Sequence, residues 1–399
     1  MVELLSPAGN LEKLIYALEY GADAVYIGGS SFGLRAASSN FDLKDIEKAL
    51  EIVEEAGKKL YVAVNIFAYQ EDLAGIKEFL RSLADIRPAA LIVSDPGIFN
   101  LAKKICPEID LHISTQANVT NLEGALFWQE QGAKRITLAR ELSLSQIKEI
   151  SEGLEIGVEV FAHGAMCLSY SGRCWLSHYL TERDANRGDC SQSCRWNYAL
   201  VEEKRPDEAM AIFEDGAGTY ILSSKDLCLA EKVDELIKAG VSSLKIEGRM
   251  KSIHYVATVT KTYREIINKA LKEKDDFVFD KNWLDELNKI SHRQYTKGFI
   301  DGPGNDLQVK GPVSYFKTAD FVGLVAEKNG KGCKVKIKNR IEVGDELEVL
   351  TPAGDNKQAK AQFCDEEGTA LTEVHANSNA WFDNDWPVRS LIRKKLKDA

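Results

Sequence analysis

No stretch of this 399-residue chain approaches the ~20 consecutive apolar residues that a membrane-spanning helix requires, so no membrane partner is expected. The opening Met1-Val2-Glu3-Leu4-Leu5-Ser6-Pro7-Ala8-Gly9 has no basic segment before an apolar one. A secretory signal is therefore not expected, and the chain reads as cytoplasmic. Gly-x-Gly-x-x-Gly is missing after the first strand-like run, which counts against a dinucleotide-binding sheet. His-Glu-x-x-His is missing too, leaving zinc proteolysis without its machinery. The Cys-x3-Cys-x2-Cys triplet of radical iron–sulfur enzymes, internal repeats and low-complexity tracts are all absent. What remains is ordinary: 44% hydrophobic and 28% charged residues, which excludes collagen-like, disordered and disulfide-miniature classes. Fifty-one basic against 61 acidic side chains leave a net charge of −10. That sum argues against indiscriminate nucleic-acid binding, although it can hide a local basic face.

Short β-type runs alternate with amphipathic stretches from the first residues. Strands are predicted at Glu3–Ser6, Ala24–Gly28, Leu60–Phe67, Ala90–Ser94, Leu111–Gln116, Arg135–Ala139, Gly157–Ala162 and Ser243–Glu247. Helices with apolar residues at i, i+3 and i+4 are predicted at Asn10–Tyr20, Leu43–Ala56, Asp72–Ala84, Asn121–Glu130 and Leu144–Glu152. Gly21, Gly57 and Gly132 follow three of them as terminators. Eight strands, most followed by a helix, predict an α/β fold, a (β/α)8 barrel of the TIM type over residues 1–275. An open doubly wound sheet is the alternative, because connectivity does not show closure. One insertion, residues 167–228, interrupts the pattern between the seventh strand and a helix expected near Leu227. Its length of about sixty residues is far beyond the usual 2–6 of a βα loop. Ile253–Lys272 reads as the closing helix and 276–318 as a linker with Gly302-Pro303-Gly304. Residues 319–399 change to short strands and turns, at Phe321–Glu327, Cys333–Lys338, Glu346–Leu350, Ala370–His375 and Val388–Ile392, which predict a small all-β barrel.

Five of the eight cysteines, Cys167, Cys174, Cys190, Cys194 and Cys228, fall within the insertion. In a reducing compartment such clustering points to metal or redox chemistry rather than disulfides. Both ends of the insertion are anchored at the C-terminal mouth of the barrel, where this fold builds its active sites. The one close pair is Cys190-Ser191-Gln192-Ser193-Cys194, and the other spacings are irregular. Such a set suits a cubane iron–sulfur cluster at least as well as structural zinc, with unliganded thiols as the bland alternative. Cys106, Cys333 and Cys364 stand alone and read as small buried hydrophobes.

Glu159-Val160-Phe161-Ala162-His163-Gly164-Ala165-Met166-Cys167 and Gly172-Arg173-Cys174-Trp175-Leu176-Ser177 together resemble the signature of the collagenase-like U-class peptidase family. Ser6-Pro7-Ala8-Gly9 and Lys245-Ile246-Glu247-Gly248-Arg249-Met250-Lys251 match as well, and the resemblance spans essentially the whole chain. Within the family the chain is most similar to the tRNA hydroxylation proteins, with RNA and ubiquinone hydroxylation factors as relatives. The resemblance implies an enzyme that forms 5-hydroxyuridine at the wobble position of tRNA without O2. It also implies a [4Fe-4S] cluster, prephenate as the source of the modification, and a paralogous member as a heteromeric partner. Residue by residue it gives Cys167, Cys174, Cys190 and Cys228 as ligands, with Cys194 a fifth candidate. Alternatives are hydroxylation of ribosomal RNA or of a quinone precursor, a zinc-stabilised RNA-binding scaffold, and a collagenase-like peptidase. The last is disfavoured because cysteines that ligate a cluster are unavailable as nucleophiles.

Strand alternation sorts the polar residues of the barrel. Lys245, Glu247 and Arg249 share one parity on the eighth strand; Glu159, Phe161 and His163 share one on the seventh. A barrel centre this polar is costly unless its groups are paired or serve a ligand. His163, Glu159, Lys245 and Glu247 are therefore candidate catalytic residues, with a structural Lys245–Glu247 ion pair and a hydrogen-bonded histidine as the bland readings. Arg249, Asn65, Gln116, Tyr26 and Arg140 are candidate substrate-binding residues; a solvated arginine or a core tyrosine is the bland reading there. Arg173, Arg183, Arg187 and Arg195, interleaved with Trp175, Tyr179 and Trp196, form a candidate RNA grip. Arg389, Arg393, Lys394, Lys395 and Lys397 form a candidate phosphate track.

Overall fold

A computed structural model describes residues 2–29, 32–33, 41–167, 169–195, 224–302, 307, 315–330 and 332–396, together with short paired strands between 200 and 219. Trp196, Lys397 and the Pro303-Gly304 pair lie outside the described residues. Eight parallel strands carry the first domain: β1 (Glu3–Pro7), β2 (Ala24–Gly28), β3 (Lys59–Val64), β4 (Ala90–Val93), β5 (Asp110–Ile113), β6 (Arg135–Thr137), β7 (Gly157–Ala165) and β8 (Ser243–Ile246). Each pairs with its neighbour in sequence order, and β8 pairs with both β7 and β1, so the sheet closes. The open-sheet alternative is thereby set aside.

The connecting helices begin where side chains can accept the free N–H groups of a first turn. Asn10 caps α1 (Leu11–Glu19), Asp42 caps α2 (Leu43–Glu55) and Asp95, followed by Pro96, caps α4 (Pro96–Ile105), which follows α3 (Leu73–Ile86). Asn121 caps α5 (Leu122–Glu130), and Ser143 with Gln146 forms a capping box on α6 (Leu144–Glu152). Gly21, Gly57 and Gly132 do take the left-handed backbone expected of terminators.

Two expectations need correction. No helix starts at Leu227: Asp226–Cys228 is a strand, antiparallel to the long end of β7, and the next helix is α7 (Val233–Lys238). The linker is also less loose than its composition suggests. Its Tyr295–Thr296 pairs in parallel with Asp226–Leu227, and Arg293 makes a fully buried ion pair with Asp226 at 2.7 Å.

The C-terminal domain is a six-stranded antiparallel sheet curved as half a barrel. Lys357–Lys360 and Asn379–Phe382 are strands that alternation missed, because both are only four residues long and the first is polar. This domain packs on α1 and on α8 (Ile253–Glu273) through Tyr16, Tyr20, Ala257, Leu324, Leu350 and Leu391. Here three of the five residues of the proposed phosphate track are engaged by carboxylates, while Lys395 is exposed. Arg393 is fully buried, bonded to Glu286 at 2.5 Å and ion-paired with Glu348 at 2.9 Å; Lys394 pairs with Asp345, and Arg389 with Glu19. Arg389 and Arg393 thereby tie the C-terminal domain to Glu19 and Glu286 of the preceding segments, while Lys394 pairs within the domain. Arg393→Met should leave Glu286 and Glu348 short of a buried partner and lower the unfolding free energy by about 3–5 kcal/mol in denaturant titration.

His254, on the same interface, stacks on Phe321 with ring centres 5.4 Å apart. Burial, reinforced by Arg393, pulls its pKa from 6.5 to about 3. The folded value lies below the unfolded one, so the unfolded chain takes up this proton first. Stability is complete above the ordinary histidine range and falls as pH drops towards 3. His254→Gln should therefore flatten the fall in stability between about pH 6 and 4 by about 1.4 kcal/mol per pH unit.

Candidate active site at the barrel mouth

The lower half of the barrel is closed by a buried ionic knot. Glu159 accepts from Lys245 Nζ at 2.9 Å, Thr137 Oγ1 at 2.8 Å, Ser243 Oγ at 3.1 Å and Arg135 Nη1 at 3.3 Å. Arg135 also reaches Glu3, whose carboxylate accepts from Tyr61. Burial alone would raise the Glu159 pKa, but Lys245 and Arg135 outweigh it and hold the carboxyl well below the usual range. Desolvation pulls the Lys245 pKa down while Glu159 opposes it. Alternation placed Glu159 and Lys245 inside correctly. It missed Glu3 and Arg135, which open their strands and whose only sequence signal is a charge at a strand start. Every oxygen of Glu159 is engaged by protein donors. Glu159 therefore sits in the floor, away from the C-terminal end where chemistry in this fold takes place.

Lys245 is the floor's upper member. Its Nζ lies 4.8 Å from the centre of the Tyr26 ring and 5.3 Å from that of Phe161. Tyr26 donates to the Ile246 carbonyl at 3.1 Å, so its ring backs the lysine and is not presented to a base. Above this layer stand Asn65, Gln116, Arg140, Glu247 and Arg249, on the loops after β3, β5, β6 and β8. Asn65 donates to Ser114 Oγ at 3.4 Å. The backbone carbonyl of Gln116 accepts from Arg173 Nε at 2.9 Å. Arg140 donates to the Ala165 carbonyl at 2.7 Å and lies over the Phe161 ring at 3.9 Å. The structure thus gathers all five near the mouth, and Glu247 and Arg249 are buried there.

His163 is the departure. Parity with Glu159 and Phe161 put it inside the barrel, but a bulge slips the β7–β8 register between Lys245 and Ile246. Such a slip reverses side-chain facing. His163 instead meets Tyr263, Tyr255 and Tyr295 at ring separations of 5.4–5.8 Å, on the helix side. Tyr263 OH lies 3.4 Å from His163 Nδ1, and burial pulls the imidazole pKa to about 3. A neutral imidazole in a tyrosine cage does not reach the barrel axis as an acid or base.

The cysteines divide. All eight are free thiols. Burial raises the Cys167 pKa, and the neighbouring Cys174 and Cys190 add to the rise. Cys228 instead points to Tyr263, whose hydroxyl is 3.9 Å from Sγ. Among the described residues no three His, Cys, Asp or Glu side chains close on a single ion. Four cysteine thiolates are the donor set of a cubane cluster and of a structural zinc site alike. A cavity of about 240 Å3 opens beside Cys167, lined by Glu141, Met166, Tyr170, Ser224, Phe299 and Leu307. Glu141, which sequence reasoning passed over, accepts from both the Ser171 backbone N–H and its hydroxyl at 2.7 Å, pinning the insertion to the rim. The candidate RNA grip is only half there. Arg187 pairs with Asp72 and Arg183 with Asp189, while Trp175 and Tyr179 remain largely exposed.

Fold and site together define a closed (β/α)8-barrel protein with a cysteine-bearing insertion on its catalytic mouth. The chain belongs to Peptidase family U32: that family's profile matches residues 9–310, and the Peptidase family U32 C-terminal domain matches 317–393. It is 42% identical over 373 residues to tRNA hydroxylation protein P1 of Bacillus subtilis, covering 92% of this chain and 88% of that one. The tRNA hydroxylation protein P of Escherichia coli is 38% identical, over 88% and 87% respectively. The 23S rRNA 5-hydroxycytidine C2501 synthase of Escherichia coli is 36% identical over 88% of this chain and 52% of its own.

Proposed function

We propose that this chain is an RNA-hydroxylating enzyme that installs a hydroxyl at C5 of the wobble uridine of tRNA, without O2 and with prephenate as the linked donor. The observation that carries the reading is the cysteine insertion pinned to the catalytic end of a barrel whose upper interior is polar. The names of relatives matched over nearly the whole chain support RNA as the substrate class. In this reading Cys167, Cys174, Cys190 and Cys228 hold a [4Fe-4S] cluster, which supplies one-electron redox chemistry when bound. Arg140 and Arg249 orient the anionic parts of the substrates. Lys245, fixed by Glu159 from below, presents positive charge to the pocket floor, and Glu247 lies at its edge. The reaction takes place in the cytoplasm. A paralogue is a candidate heteromeric partner, as Bacillus subtilis has proteins named P1 and P2. Nucleoside mass spectrometry of RNA from cells lacking the chain tests the assignment. Loss of 5-hydroxyuridine derivatives from tRNA is expected; intact tRNA with altered ribosomal RNA or quinones would redirect it.

A further inference from the structure

β5 runs into a single tight turn, Thr115–Ala117, that leaves Gln116 at the barrel mouth. Gln116 is only 5% exposed, and its side-chain oxygen Oε1 is buried with no hydrogen-bond partner. The donors around it are committed elsewhere. Asn65 Nδ2 goes to Ser114 Oγ, and the Ser171 N–H and hydroxyl go to Glu141. Arg173 Nε goes to the backbone carbonyl of Gln116, not to its side chain. A second carboxamide oxygen, Asn118 Oδ1, is buried and unpartnered two residues further on. The Gln116 amide lies beside the cysteine insertion: a Cβ on Gly172 would come 3.7 Å from its Nε2, and Cys174 follows Gly172 by two residues.

A carbonyl oxygen buried without a donor is costly, and native structures keep few of them. The fold gains nothing from this one, which points to a ligand that supplies the donor. A carboxamide presents an acceptor and a donor side by side. The ring edge of uracil presents their complement, N3–H next to O4, and C5 lies outside the N3–H contact. Enzymes that do chemistry on a base take it out of its stack and read it by this edge. We infer that Gln116 reads the base that enters the barrel mouth, its Oε1 accepting from N3–H of uracil and its Nε2 donating to O4. A base held there sits next to the turn that leads to Cys174, at the end of the barrel where this fold places its chemistry. The inference rests on the hydroxylation reading for the identity of the base as the wobble uracil.

The test titrates the full chain, without turnover, against two tRNAs that differ only at the wobble base, uridine in one and N3-methyluridine in the other. The methyl group removes the N3–H donor and leaves C5 untouched. The unsubstituted chain should bind the uridine tRNA about tenfold more tightly, the loss of one hydrogen bond to a buried acceptor. Gln116→Ala, whose smaller side chain leaves room for the methyl group, should bind both tRNAs alike and as weakly as the unsubstituted chain binds the methylated one. Gln116→Met should bind the uridine tRNA about tenfold more weakly and melt no lower than the unsubstituted chain, because it fills the same space without the orphaned oxygen. The inference is overturned if the unsubstituted chain binds both tRNAs alike or binds neither, or if Gln116→Ala keeps the preference. Unchanged affinity in Gln116→Met overturns it as well, and a lowered melting temperature there would show that Oε1 serves the fold instead. Loss of 5-hydroxyuridine from cells lacking the chain, with no preference between the tRNAs, removes Gln116 as the reader and leaves the hydroxylation reading standing. Unchanged 5-hydroxyuridine with a preference that depends on Gln116 does the reverse.

Discussion

Cys167→Ala protein, purified without oxygen, is expected to hold well under one iron per chain, against about four iron and four sulfide for the unsubstituted chain. The brown visible absorption should vanish with the metal. Cys174→Ala and Cys190→Ala should behave alike, because both belong to the proposed ligand set. Cys228→Ala is the informative member of the series. Its thiol is buried beside Tyr263, so loss of iron on its replacement would show that this strand's cysteine completes the set. Cys194→Ala is expected to retain iron. The reverse pattern, iron kept without Cys228 and lost without Cys194, would transfer the fourth position to Cys194. Stoichiometric zinc without a chromophore would remove the cluster altogether. Stability should change little in Cys167→Ala and Cys190→Ala before metal is added, because both residues are exposed.

Lys245→Met is expected to lower the unfolding free energy by about 3–5 kcal/mol, the cost of leaving a buried carboxylate without its partner. Glu159 then keeps Arg135, Thr137 and Ser243, but its closest cation is gone. Glu159→Gln should destabilise for the mirror reason, leaving Lys245 charged between two aromatic rings. The double variant Glu159→Gln/Lys245→Met should recover part of the loss, since both uncompensated charges are removed together. Denaturant midpoints of the four proteins read this coupling directly. Additive losses with no recovery would show that the two side chains act independently, contrary to the 2.9 Å contact.

The barrel was legible because its strands are short apolar runs, because glycine closes several of its helices, and because Asn10, Asp42, Asn121 and Ser143 mark helix starts by their capping chemistry. Ala24–Gly28 and Leu144–Glu152 coincide with the predicted spans for that reason. Closure was not legible, since β8 meets β1 and β7 through pairings that no local pattern encodes. The misassigned facing of His163 has a single physical source: period-two alternation presumes an unbroken ladder, and the bulge opposite Lys245 and Ile246 breaks it. The basic tail misled for another reason. Arg393 looks like a surface cation next to Lys394 and Lys395, but its carboxylate partners Glu286 and Glu348 lie 107 and 45 positions earlier in the chain. In the site itself, the clustering of cysteines and the interior parity of Lys245 and Glu159 could be read. Arg135, Glu3 and Glu141 could not, because each gains its meaning only from a neighbour across the barrel.

The most direct measurement is position-resolved mass spectrometry of tRNA from a strain lacking the chain, complemented in turn by the unsubstituted protein and by Cys167→Ala. The expected result is that 5-hydroxyuridine derivatives at the wobble position return with the first and not with the second. Return of the modification with Cys167→Ala, or its presence in the uncomplemented strain, would contradict a cysteine-held centre at this barrel mouth acting on tRNA.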